Sequence, residues 1–157
     1  MKGASSLGNR YLYTKPRVTM SIKRTATAVW NGPGKTGNGS VSTQSGTLNK
    51  TAYSYLSRFE SGSGTNPEEL VAAAHAGCFS MKLAFNLQGA GFTPTEIKTE
   101  CEIVLEEGTI TASNLTLEAS VPSITREKFE ELARDAEQNC PISKLLNTQI
   151  NLKATLK

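Results

Sequence analysis

Thr65–Met81, TNPEELVAAAHAGCFSM, reads as a helix start followed by an unusually apolar helix body. Asn66 suits the N-cap, because its side-chain oxygen can accept a hydrogen bond from a first-turn amide that has no partner inside the helix. Pro67 then falls at the first helical position, where its missing N–H costs nothing. Glu69 stands three residues after Asn66, at capping-box spacing, and both Glu68 and Glu69 face the positive end of the helix dipole. From Leu70 to Met81 there is no Asp, Glu, Lys or Arg. A helix that is apolar all round belongs inside a fold. The charge-free run is itself too short to cross a bilayer. His75 and Cys78 sit in the middle of it.

Outward from this helix, the chain divides into short alternating segments. Residues 21–31, 39–48 and 51–59 read as three strands in a meander, with the Gly-rich NGPGKTGNG at 31–39 as a turn. That turn lacks the lysine spacing and following helix of a phosphate loop. The loop 60–65 leads into the central helix, which is expected to run to about Gln88 and end at Gly89-Ala90-Gly91. Strands follow at about 95–107 and 109–121. Cys101, Ile103 and Leu105 share one face of the first; Leu115, Leu117, Ala119 and Val121 share one face of the second. Thr125 caps a second helix to about Asn139, with Phe129, Leu132, Ala133, Ala136 and Cys140 on one stripe. Pro141 opens a short helix, 141–147, and a last strand covers 148–156. This order predicts an α+β fold with antiparallel sheets around one long central helix, in a single domain over 20–157.

The chain of 157 residues carries a formal charge of +3, with 17 basic and 14 acidic residues. Four of the basic residues, Lys2, Arg10, Lys15 and Arg17, lie in the acid-free segment 1–19; the rest of the chain has a net charge of −1. That segment has no apolar region of the secretory kind and precedes Met20, so 1–19 reads as an added leader or a disordered basic arm. The near-neutral body holds no basic patch for nucleic acid. Three cysteines, Cys78, Cys101 and Cys140, without a signal peptide suit a reducing compartment such as the cytoplasm. One histidine and no closely spaced cysteine pair predict no metal site.

Cys78 lies three residues after His75, ten after Glu68 and twenty after Arg58. Burial alone raises a thiol's pKa and leaves it inert, so a reactive Cys78 needs a cation nearby. Arg58, at the end of the third strand, is the best candidate in the sequence, because a guanidinium stays charged when buried; Glu68 is placed to orient it. The plainer readings stand beside these. Cys78, Cys101 and Cys140 suit core positions, His75 suits a hydrogen-bonded core histidine, and Arg58 with Glu68 suits an ordinary ion pair. Spacing does not rank a Cys78–Cys140 redox pair above them.

Five segments carry a resemblance: GSVST at Gly39–Thr43, RFE at Arg58–Glu60, GTNPEELVAAAHAGCFSM at Gly64–Met81, GFTPT at Gly91–Thr95 and CPIS at Cys140–Ser143. Together they resemble the OsmC (osmotically inducible protein C) family, relatives of the organic hydroperoxide resistance proteins, over essentially 20–157. The resemblance implies a cofactor-free thiol peroxidase that reduces organic hydroperoxides, and hydrogen peroxide less readily, in stress defence. It implies an intertwined α+β homodimer with buried central helices and groups from both chains at each site. By position, Cys78 matches the peroxidatic cysteine and Cys140 the resolving one, and Arg58 and Glu68 match the residues that activate the thiolate. An external dithiol would reduce the resulting disulfide. The main rival is a redox sensor or a binding module for a small hydrophobic ligand on the same fold. A cysteine hydrolase is weaker, because no carboxylate is in view to orient His75.

Overall fold

The computed structural model describes residues 21–157; the reading of 1–19 as a leader lies outside them. The elements run β1 (Ala26–Asn31), β2 (Asn38–Thr43), β3 (Thr51–Ser54), α1 (Tyr55–Phe59), α2 (Pro67–Gly89), β4 (Glu96–Glu106), β5 (Thr109–Ser120), α3 (Arg126–Asn139), α4 (Pro141–Leu145) and β6 (Gln149–Leu156). They form two three-stranded sheets, β1-β2-β3 and β4-β5-β6, as an α+β fold.

The core lies between α2, α3 and the inner face of the second sheet. Phe79, Leu83 and Leu87 recur every four residues along α2 and are sealed from solvent, as are Leu115, Leu117 and Ala119 of β5 and Phe129, Ala133 and Ala136 of α3. These are the period-two and helical stripes that the sequence predicts. Lys82, the first charge after the apolar run, is answered from α3 by Asp135 at 3.1 Å.

Four features depart from the sequence reading. The third strand is shorter than expected. Ser54 and Ser57 form a reciprocal capping box, and the chain turns into α1 at Tyr55, so Arg58 stands on a short helix rather than a strand. At the start of α2 the cap is one-sided. Asn66 Oδ1 accepts the Glu69 amide at 2.8 Å, while Asn66 Nδ2 donates to the Ser57 carbonyl at 3.1 Å and ties the two helices together. In the second sheet, β4 and β5 pair antiparallel but β5 and β6 pair parallel. The connection through α3 and α4 carries the chain back to the starting end of the sheet, as a parallel pair requires.

The fourth departure concerns α2 itself. All 23 residues form one helix, long and apolar enough by length and composition to cross a membrane, so the shortness of the charge-free run does not decide the matter. Within this chain 22% of that apolar window is buried, the inner stripe that forms the core. Its outer face stays open within this chain, with Met81 63% and Phe85 65% exposed. β1, at the edge of the first sheet, is also bare: every one of its residues is exposed, including Val29 and Trp30.

Candidate active site

Two clusters hold the four candidate catalytic residues of the sequence. The first is Cys78 with Cys140. The thiols are 62 residues apart in the chain, yet α3 ends at Cys140 and brings its sulphur beside Cys78 of α2. Cys140 is fully buried, Cys78 is half-buried, and both are free thiols. Burial pushes the Cys78 thiol up, and the hydrogen bond with Cys140 adds to the rise; the Ile142 backbone N–H, which donates to the Cys78 sulphur, works against it. Left to these neighbours, Cys78 is a protonated thiol and a poor nucleophile.

The second cluster is Arg58 with Glu68. The guanidinium engages the carboxylate through two nitrogens, Nη2 to Oε1 at 2.6 Å and Nε to Oε1 and Oε2 at 3.1 Å each. This fork-on-fork geometry suits a planar cation and fixes its orientation. Partial burial pushes the Glu68 carboxyl up, but the hydrogen bonds from Arg58 and the backbone, with the Arg58 charge, outweigh it and hold it below its ordinary value. The backbone under the pair is stiff. Ser57 Oγ donates to the Thr65 carbonyl at 2.8 Å, and the Thr65 amide donates to the Ala52 carbonyl at 2.9 Å. A cavity of about 270 Å³ opens beside Arg58, lined by Trp30, Tyr53, Tyr55, Phe59 and Pro67.

The two clusters do not meet within one chain. Glu68 precedes Cys78 by ten residues of the same helix, about 15 Å along its axis at 1.5 Å per residue. The groups acting on Cys78 are Cys140 and the Ile142 amide, with no cation among them. Among the described residues, no three of His, Cys, Asp and Glu gather where they would hold a metal.

A third cluster surrounds His75. The ring is fully buried. Nδ1 pairs with Ser113 Oγ of β5 at 2.7 Å and Nε2 with Ser143 Oγ of α4 at 2.9 Å. Cys101 of β4 completes the group, its sulphur 3.3 Å from Ser113 Oγ. Burial lowers the His75 pKa, so the ring is neutral. This is the hydrogen-bonded core histidine of the sequence reading. Cys101 likewise is an inert thiol: burial raises it, against a hydrogen bond with Ser113 and with a further rise from Glu102. Ser113 and Ser143 are the residues that sequence reasoning passed over. For Ser113 a signal existed, since a serine at the inward register of β5, two before Leu115, is polar on a core face.

The family model for "OsmC-like protein" matches residues 60–155. The Escherichia coli (strain K12) protein named Peroxiredoxin OsmC is 44% identical over 142 residues, covering 88% of this chain and 99% of that protein. The crystal structure of the organic hydroperoxide resistance protein OhrB of Bacillus subtilis matches with a TM-score of 0.57 at 26% identity, over 85% of this chain and 98% of its own. That of an OsmC like protein from Mycoplasma pneumoniae matches with a TM-score of 0.70 over 87% and 99%, at 16% identity, a likeness of fold alone. With a family model over most of its length and a near-full-length relative at this identity, the chain belongs to the OsmC family.

Proposed function

We propose that this protein is a two-cysteine thiol peroxidase that reduces organic hydroperoxides in the cytoplasm, with Cys78 as the attacking and Cys140 as the resolving thiol. The observation that carries the reading is the side-by-side placement of two free thiols from different helices, one of them reachable from outside. The names of the relatives, a peroxiredoxin and an organic hydroperoxide resistance protein, support the same chemistry.

In the reaction, the Cys78 thiolate takes the terminal oxygen of ROOH. The O–O bond breaks, ROH leaves once the alkoxide gains a proton, and Cys78 becomes a sulfenic acid. The Cys140 sulphur then attacks the sulfenic sulphur, the S–S bond forms and water departs. An external dithiol returns both thiols by exchange and is itself oxidised to a disulfide.

The first step needs a thiolate, and a single chain supplies Cys78 with no cation. A homodimer answers this. Docking the exposed faces of α2 against each other, with the bare β1 laid over the second copy, would bring the partner's Arg58 to Cys78. There it would hold the thiolate and draw charge off the breaking O–O bond. Glu68 keeps the guanidinium in line, and the aromatic cavity beside Arg58 favours alkyl over hydrogen peroxide.

Replacing each cysteine tests the assignment. Cys78→Ser should abolish turnover with cumene hydroperoxide and a dithiol. Cys140→Ser should consume one equivalent and then stall. Sustained cycling by the Cys140 variant would remove its resolving role. The rival reading, a pocket for a hydrophobic ligand, gives no reason for two neighbouring thiols.

A further inference from the structure

His75 lies one helical turn before Cys78 on α2, and its partner Ser143 lies three residues after Cys140 on α4. Between them a closed loop of contacts forms. His75 Nε2 pairs with Ser143 Oγ, and the neighbouring Ile142 amide and the Cys140 thiol both lie beside the Cys78 sulphur. α4 has only five residues, and the Cys140 at its N-cap makes no side-chain capping bond. A helix this short has little stability of its own. The bond from His75 is thus a hold on α4 from outside it. Ser113, on the far side of the ring, fixes how the imidazole is turned. In either direction of the chain Cys101–Ser113–His75–Ser143, one ring nitrogen donates and the other accepts, so the neutral imidazole is satisfied on both sides.

We propose that His75 is a positioning residue for disulfide formation: through Ser143 it holds the 140–143 turn over Cys78, with the Cys140 thiol aimed at the sulphur that hydroperoxide oxidises. The inference rests on the Cys78–Cys140 assignment above. The role is one of geometry, because both ring nitrogens are already engaged and the buried ring is neutral. The step at stake is attack of Cys140 on the Cys78 sulfenic acid with loss of water. Its competitor is a second hydroperoxide, which oxidises the sulfenic acid to sulfinic acid and leaves as the alcohol. A turn that drifts from Cys78 slows the first fate and leaves the second untouched.

The two ring nitrogens can be separated by substitution. His75→Gln keeps a polar atom near the Nε2 position, facing Ser143; His75→Asn keeps one near Nδ1, facing Ser113. Ser143→Ala removes the hydroxyl that α4 contributes. Each variant is oxidised with one equivalent of cumene hydroperoxide above the pH midpoint of Cys78 alkylation. Sulfenic acid is trapped with dimedone, and disulfide is followed by mass. We expect sulfenic acid to form at close to the wild-type rate in all three. Disulfide formation should slow about tenfold or more in His75→Asn and Ser143→Ala, since small misplacements of reacting groups are costly. It should stay near wild type in His75→Gln. Sulfinic acid should build up under excess peroxide only in the two slow variants.

Wild-type disulfide rates in both His75→Asn and Ser143→Ala would overturn the proposal. Equal slowing in His75→Gln and His75→Asn would also overturn it, because a general packing role does not tell the two nitrogens apart. Should His75→Asn fail to fold, Ser143→Ala alone decides by the same rates. A wild-type protein that forms no Cys78–Cys140 disulfide would instead bring down the assignment beneath, and that control is read before any variant.

Discussion

At position 75 a titratable group is buried without charge, and this leaves a mark on stability. The ordinary histidine pKa is 6.5, and burial lowers it in the folded chain. Below about pH 6.5 the unfolded chain binds a proton that the folded chain refuses, so stability is lost as pH falls from there toward the lowered value. The melting temperature should therefore drop between pH 7 and pH 5, and the drop should be smaller in His75→Gln, which has nothing to titrate there. An equal slope in both proteins would show that His75 titrates normally. Residue by residue, the rare types were the legible ones. Cys78, Cys140 and His75 stood out against an apolar helix and a Cys-Pro break. The serines were not legible as His75 partners, because Ser113 and Ser143 reach the ring across 38 and 68 residues; the core-face register of Ser113 marks a buried polar group but not its partner.

Among the elements, the turn from β3 into α2 sets where Glu68 and Arg58 stand. Gly64 has φ +111°, and a Cβ there would come within 2.4 Å of the Ala52 carbonyl oxygen. Gly64→Ala should cost about 1–3 kcal/mol through that strain and loosen the Arg58–Glu68 pair; thermal melts would check it, and an unchanged melting temperature would refute it. α1 shows why a helix was read as strand. Tyr55–Phe59 continues the aromatic and serine run of β3, and only the Ser54–Ser57 spacing marks the helix start. The parallel pairing of β6 was hidden differently. Ile150, Leu152, Ala154 and Leu156 alternate the same way in either direction. The deciding signal was the long helical connection from β5, which a hairpin does not need.

For the molecule as a whole, the unanswered surfaces point one way. α2 opens Met81 and Phe85 to solvent, α1 exposes Leu56 and Phe59, and β1 is bare. The sequence predicted a helix buried on all sides, and one chain buries only one stripe of it. The proposed dimer accounts for the remainder and would supply the missing cation. Phe85→Glu, which puts a charge into that face, should shift the protein to a monomer in sedimentation and slow peroxide reduction by Cys78. A dimer that persists with full activity would place the contact elsewhere.

The two-cysteine chemistry is tested by mixing the reduced protein with one equivalent of an organic hydroperoxide, then measuring its intact mass and counting its thiols. Two thiols and two mass units should be lost, with a peptide map linking Cys78 to Cys140 and leaving Cys101 free. Three intact thiols after that exposure would contradict this chemistry.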